Sequence, residues 1–333
     1  MKNETKLMAF WISDFLTKNL IENRNLSINT QRSYRDVFLL LTRYIEEKHR
    51  IEMLNFKIDD FNSVLVQSFL DYLFTDLGSS ASTCNQRLAA IKSFTKFVSR
   101  SYPDFLKNAT GILSIGSKKV ITNVIDYLSK EEVEEILRLP DKSTDIGYRD
   151  YLLLLMLYNT GARASEIANL KIDEITFGDQ CFVLLKGKGK KERVTPLWKK
   201  TGKLIQDYIR NNAKITSGFL FYGTRHNVLT RHGIYEIVQK YACLAKQKIP
   251  SLSNKKITPH TFRHTTAVHL LLAGIDINTI RAWLGHSSVE TTNIYASITL
   301  EMKQKAIDKC SLKSAQSKAI WKTKSFSTFL KNI

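Results

Sequence analysis

Apolar residues recur at three- and four-residue steps through the first hundred residues: Tyr34, Val37, Phe38, Leu41, Tyr44 and Ile45 form one set, and Leu88, Ile91, Phe94 and Val98 another. That period puts each set on one face of a helix, so both read as core stripes. The polar faces carry Gln31, Arg32 and Arg35 on one segment and Arg87, Lys92 and Lys96 on the other. The pattern fails between Ala109 and Asp126, where Gly111, Gly116 and the Lys118-Lys119 pair occur. We read 1–110 as a helical domain, 111–127 as a linker and 128–309 as a second domain.

Ser129 opens that second domain as a helix cap, with Glu132 completing a capping box. Tyr151 to Tyr158 is a nearly continuous apolar run, suited to a buried helix. The period then changes. Cys181 to Lys186 and Glu192 to Leu197 read as two strands joined by Gly187-Lys188-Gly189-Lys190-Lys191, a hairpin with a basic tip. Helical segments follow to Lys309. In the last segment, 310–333, a lysine- and serine-rich tether leads to Phe326, Phe329, Leu330 and Ile333, spaced as one helical face that needs a surface to pack on, in cis or on a neighbouring protomer. The fold class is mainly α with a small β-hairpin, the second domain being α+β.

At 333 residues each domain is long enough to bury its own core. Fifty Lys and Arg against 31 Asp and Glu give a formal charge of +19, spread along the chain as expected for a protein that binds a polyanion. Cys84, Cys181, Cys243 and Cys310 lie far apart, without zinc spacing or a disulfide framework. Met1 to Phe10 lacks a signal pattern, and no apolar run is long enough for a membrane span. A cytoplasmic, nucleoid-associated protein without membrane contact is expected.

Chemistry concentrates late in the chain. Thr258 before Pro259 is a helix-start signal, so His260 and Arg263 share a face of a first turn, where phosphate is attracted. Pro259-His260-Thr261-Phe262-Arg263-His264 is followed by Leu284-Gly285-His286 and then by Tyr295. Upstream, Gly161 permits a tight break before Arg163, and Glu166 can hold the Arg163 guanidinium. Lys188, between glycines at a hairpin tip, can carry a proton donor to a substrate. Any one of these residues alone is compatible with an ordinary structural or solvated role; the combination is what points to a phosphodiester.

On those motifs the chain resembles the tyrosine recombinases, the group of phage integrases, Xer-type resolvases and mobile-element recombinases. Asn29-Thr30-Gln31-Arg32-Ser33-Tyr34 and Cys84-Asn85-Gln86-Arg87-Leu88 look like the family's helical, SAM-like core-binding domain, and the part after the linker looks like its catalytic domain. The resemblance implies a C-shaped two-domain clamp around DNA. It makes Arg163 and Arg263 the stabilisers of phosphate charge, Lys188 the donor to the leaving oxygen, His260 and His286 hydrogen-bonding or proton-accepting groups, and Tyr295 the nucleophile, with His264 and Glu166 in support. Arg32, Arg87, Lys92, Lys190, Lys191 and Arg193 are the expected DNA contacts.

The implied reaction joins Tyr295 to the 3′ phosphate, releases a 5′ hydroxyl and lets a second strand reverse the step without ATP. Two arginines neutralise the developing charge, so no cofactor and no metal is expected. The implied partners are double-stranded DNA with inverted half-sites, a tetramer on two such sites, and other recombinases of the same element. Leu157-Tyr158-Asn159-Thr160-Gly161-Ala162-Arg163 and Trp283-Leu284-Gly285-His286-Ser287 look most like the proteins of transposon-type elements, which favours integration, excision or transposition. A Xer-type chromosome or plasmid dimer resolvase, a type IB topoisomerase-like enzyme and a non-catalytic DNA-binding protein stay open as alternatives.

Overall fold

The computed structural model describes residues 4–23, 26–120, 126–187, 191–211, 218–223 and 227–285. The chain divides into two compact units, 1–123 and 124–333.

In the first unit, α1 (Met8–Asp14) runs into a π-helical stretch (Phe15–Asn23), followed by α2 (Ile28–His49), α3 (Ser63–Thr75), α4 (Ala81–Ser101) and α5 (Leu106–Ser114). Ser27, Asn62 and Ser80 cap α2, α3 and α4 by accepting from the backbone N–H three residues on. The α2 stripe Val37, Phe38, Leu41, Tyr44 and Ile45 is buried, as are Leu88, Ile91, Phe94 and Val98 of α4. Between them Phe38 and Phe94 meet edge-on with ring centroids 5.0 Å apart, and Phe15 joins the same cluster.

The structure departs from the sequence reading at the expected linker. Residues 111–114 belong to α5, which buries Ala109 and Ile112. A side chain at Gly111 would meet Ser63 Oγ at 3.1 Å, so this glycine lets α5 lie close against the start of α3. Beyond α5, Lys118 is held by Asn85, which exchanges two hydrogen bonds with its backbone, and by Asp71. A nine-residue helix with two buried positions and an internal glycine presents too little periodicity to be read from sequence.

The second unit begins with α6 (Lys130–Arg138), capped by the expected Ser129–Glu132 box. Its centre is α7 (Asp145–Thr160), buried at every position from Tyr151 to Leu157 and packed against α6, α11 (Pro259–Leu272) and α9 (Lys199–Asn211). α8 (Ala164–Ala168) precedes a three-stranded antiparallel sheet, β1 (Ile175–Thr176), β2 (Cys181–Lys186) and β3 (Glu192–Leu197). β2 and β3 have the expected ends, while β1, two residues long, is too short to carry an alternation in the sequence. Cys181, Val183 and Leu185 point inward, opposite Leu197, Thr195 and Arg193. α10 (Arg231–Lys248) and α12 (Ile277–Leu284) complete the described elements. Among these residues no helix is long and apolar enough to cross a membrane.

Candidate active site

The site is assembled where four helices end or begin. α7 stops at Gly161, which adopts φ +60° and donates its N–H to the Leu157 carbonyl. A Cβ at Gly161 would lie 2.5 Å from Leu284 Cδ2, so glycine is required both by the left-handed backbone and by the approach of α12. Arg163 follows as the residue before α8. α11 begins at Pro259 behind the Thr258 cap, which places His260 and Arg263 in its first turn as expected. α12 stops at Gly285, again left-handed with φ +65°.

Three arginines converge on the end of α12. Arg193 Nε donates to the Trp283 carbonyl (2.8 Å), Arg263 Nη2 to Leu284 (2.5 Å) and Arg163 Nη2 to Gly285 (3.3 Å). These are carbonyls that a helix leaves unsatisfied at its negative end, where cations are favoured. Arg263 also donates through Nη1 to the Gly161 carbonyl (2.7 Å), so one guanidinium ties the end of α7 to the end of α12. Arg263 is buried, whereas the Arg163 side chain is 34% exposed.

Glu166 organises the arginines from below. One of its oxygens accepts from the Arg163 backbone N–H (2.8 Å) and the other from Arg163 Nη1 (2.9 Å). Both also accept from Arg193, in a fork of 3.0 and 2.7 Å. Burial pushes the Glu166 carboxyl up, but the bonds from Arg193 and Arg163 outweigh it and hold the group below the ordinary range, so it is ionised at neutral pH.

His260 stands beside this cluster. Partial desolvation, then the charges of Arg263, Arg231 and Arg163, lower its pKa, leaving a neutral imidazole able to accept a proton. His264, one turn on, is pushed down to about 4 by burial, then by His260 and Arg263. Further along α11, His269 Nδ1 pairs with the Tyr158 hydroxyl at 2.7 Å, a structural contact between α11 and α7.

Lys188, Lys190, His286 and Tyr295 lie outside the described residues. Gly187 N–H bonds the Lys191 carbonyl (2.8 Å), closing the base of the hairpin turn, and a Cβ on Gly187 would lie 3.1 Å from Glu166 Oε1. The hairpin turn therefore starts directly against the arginine cluster.

Two of the expected DNA contacts are otherwise engaged. Lys92 Nζ donates to the Ile115 carbonyl (2.6 Å) at the end of α5, in the first unit. Arg193 faces inward, its side chain 10% exposed, with Nε, Nη1 and Nη2 all donating within the cluster. The signal for Arg193 was in the sequence: strand alternation from Leu197 and Thr195 puts it on the buried face, and a buried cation needs a carboxylate. Arg32 and Lys191 are exposed and Arg87 is half-buried. Arg231, the first residue of α10, is a cation near His260 that sequence reasoning did not single out.

A helical unit followed by a mixed unit in which two arginines and a neutral histidine gather at helix ends is an arrangement suited to an anionic group. Residues 126–302 match the phage integrase family and residues 12–101 its N-terminal SAM-like domain. The chain is 36% identical over 310 residues to the putative integrase/recombinase y4rC of Sinorhizobium fredii, covering 93% of both proteins. It is 32% identical over 293 residues to tyrosine recombinase XerD of Staphylococcus haemolyticus, covering 86% of this chain and 94% of that one. Among solved structures, XerH site-specific recombinase bound to difH substrate in a pre-cleavage complex matches with TM-score 0.65 and 25% identity, over 85% of this chain and 80% of that one. The fold is shared with the Tn1549 transposon integrase in complex with circular intermediate DNA, at TM-score 0.65 and 18% identity, over 87% of this chain and 98% of that one. The chain belongs to the phage integrase family of tyrosine recombinases, enzymes of site-specific DNA recombination.

Proposed function

We propose that this recombinase cuts and rejoins DNA through a covalent 3′-phosphotyrosyl intermediate on Tyr295, in the integration, excision or transposition of a mobile element. The observation that carries the reading is the meeting of Arg163 and Arg263 at the carbonyls of 284 and 285, beside a neutral His260. A phosphodiester resists attack because its anionic oxygens repel nucleophiles. Donors already oriented at the nonbridging oxygens remove that barrier, and arginine keeps its charge at every working pH.

The Tyr295 phenol, with an ordinary pKa of about 10, needs a base or a cationic surround to attack. In our reading His260 or His286 takes its proton, Lys188 protonates the departing 5′ oxygen, and Arg163 and Arg263 hold the phosphate throughout. The new tyrosyl ester conserves the bond energy, so a 5′ hydroxyl from a second strand expels Tyr295 and reseals the duplex. The partner is duplex DNA with inverted half-sites, acted on by a tetramer holding two sites. XerH, which matches along most of this chain, is bound to its own DNA substrate.

A nicked suicide duplex tests the reading, since loss of the short strand traps the covalent complex. The unaltered chain is expected to form a protein–DNA adduct, and Tyr295→Phe to bind the duplex without one. An adduct in the Tyr295→Phe variant would assign the nucleophile elsewhere. The similarity to XerD favours a second reading, dimer resolution. Recombination between the ends of a mobile element, against recombination between two copies of a chromosomal site, separates the two.

A further inference from the structure

We infer that Arg193 is a positioning residue for strand cleavage, locking the hairpin that bears Lys188 to Arg163 and to the end of α12. This rests on the recombinase reading above. Three elements meet on this one side chain. From β3 it donates in a fork to both oxygens of Glu166, and its Nε reaches the Trp283 carbonyl, three residues before His286. Its stem packs on the left-handed Gly285, where a Cβ would lie 3.2 Å from Arg193 Cδ.

The connections give Arg193 leverage over groups it does not touch. Glu166 is the carboxylate that holds Arg163, through both its backbone N–H and its Nη1. With Arg193 gone, that buried carboxylate keeps Arg163 as its sole arginine, and the guanidinium expected at the phosphate is drawn into an ordinary ion pair. The Trp283 carbonyl loses its donor, and with it the end of α12 loses one of its three arginine contacts. The hairpin also loses its tie, because Arg193 sits opposite Leu185, one pair inward from the Lys186–Glu192 pair next to the turn. Lysine cannot replace this function: its single ammonium keeps the charge but lacks the planar fork that spans two carboxylate oxygens and a carbonyl.

The test uses the full chain and a nicked duplex obtained from a random-sequence pool by covalent capture on the unaltered protein. Failure of that capture would strike the recombinase reading and leave Arg193 aside. With the duplex in hand, Arg193→Ala is expected to slow single-turnover adduct formation by about 10²-fold, as a misplaced reactive geometry does. Affinity for the duplex and its salt dependence should stay unchanged, whereas a lost phosphate contact would weaken binding and lower the log–log salt slope by about 1. Millimolar guanidinium should restore part of the Arg193→Ala rate and ammonium should not, a response that general destabilisation would not give. Should alanine prevent folding, Arg193→Lys decides, with slow cleavage on a folded, DNA-binding protein expected. Cleavage at the unaltered rate in either folded variant, or a loss confined to binding with a reduced salt slope, would overturn the inference.

Discussion

Gly161→Ala is the sharpest probe of how Arg163 and Arg263 are held. The substitution adds one methyl group at a residue with φ +60°, where that methyl would lie 2.5 Å from Leu284 Cδ2. An L-residue in the left-handed region costs about 1–2 kcal/mol. Carbon atoms pack at about 3.5–4.0 Å, so Leu284, which is fully buried, must retreat by roughly 1 Å or the turn must open. Overpacking of this kind adds about 1–3 kcal/mol. Together these give a destabilisation of about 2–5 kcal/mol, or a fall in Tm of about 4–20 °C for a unit of this size.

The displacement lands on catalysis because Arg263 bonds the carbonyls of both Gly161 and Leu284. Cleavage by the folded variant should fall by about 10²-fold, the penalty for a shift near 1 Å. Calorimetry, following the second unit's transition, and single-turnover adduct formation below that transition read the two effects. Gly178→Ala is the control: its φ is not left-handed and its nearest neighbour to an added Cβ is the Gln180 carbonyl at 3.8 Å, so the change should stay within about 0.5 kcal/mol. A Gly161→Ala protein with the Tm of the control and full cleavage would refute the account of this junction.

Two further outcomes are expected. Lys188→Ala should slow cleavage of a normal phosphodiester far more than cleavage of a duplex with a 5′-bridging sulfur, whose leaving group needs no proton; equal losses would leave the lysine a DNA contact. His264 titrates at about 4 when folded and near 6.5 when unfolded, so its contribution to stability is complete above about pH 6.5 and shrinks as the pH falls toward 4. His264→Gln should flatten the stability profile in that window, measured by urea unfolding at stepped pH, and an unchanged slope would remove His264 as its source.

Much of this architecture was legible because the sequence repeats its instructions at several levels. The α2 and α4 stripes, the Ser129 and Thr258 caps and the ends of β2 and β3 each combine a hydrophobic period with a local stop or start signal. α5 and β1 lack that redundancy, being too short for a period to show. The site divides in the same way. Arg163, Glu166, His260 and Arg263 were readable from motif spacing, and the structure brings these four to one junction. The use of Arg193 was not readable from motif spacing, because it depends on one carbonyl and a carboxylate from two distant segments meeting in space. Arg32 and Arg87 stay expectations for a simpler reason: a cation that awaits a phosphate and one that merely faces water have the same local surroundings.

Burial separates the two arginines that share Glu166. Arg163 and Arg193 share the single carboxylate of Glu166, so the group keeps a positive charge in excess. Arg193, 10% exposed and with three donor nitrogens engaged, has little to present outward. Arg163, 34% exposed, is where that excess charge reaches the surface, anchored from behind by Glu166 and Gly285. An anchored guanidinium loses little freedom when an anion arrives, and that pre-organisation lets a hydrogen bond stabilise a transition state rather than merely bind a ground state. Charge alone would not suffice at position 163. Lysine there would offer a single mobile ammonium, whereas the arginine fork holds the carboxylate and the Gly285 carbonyl on separate nitrogens and still leaves part of the guanidinium exposed.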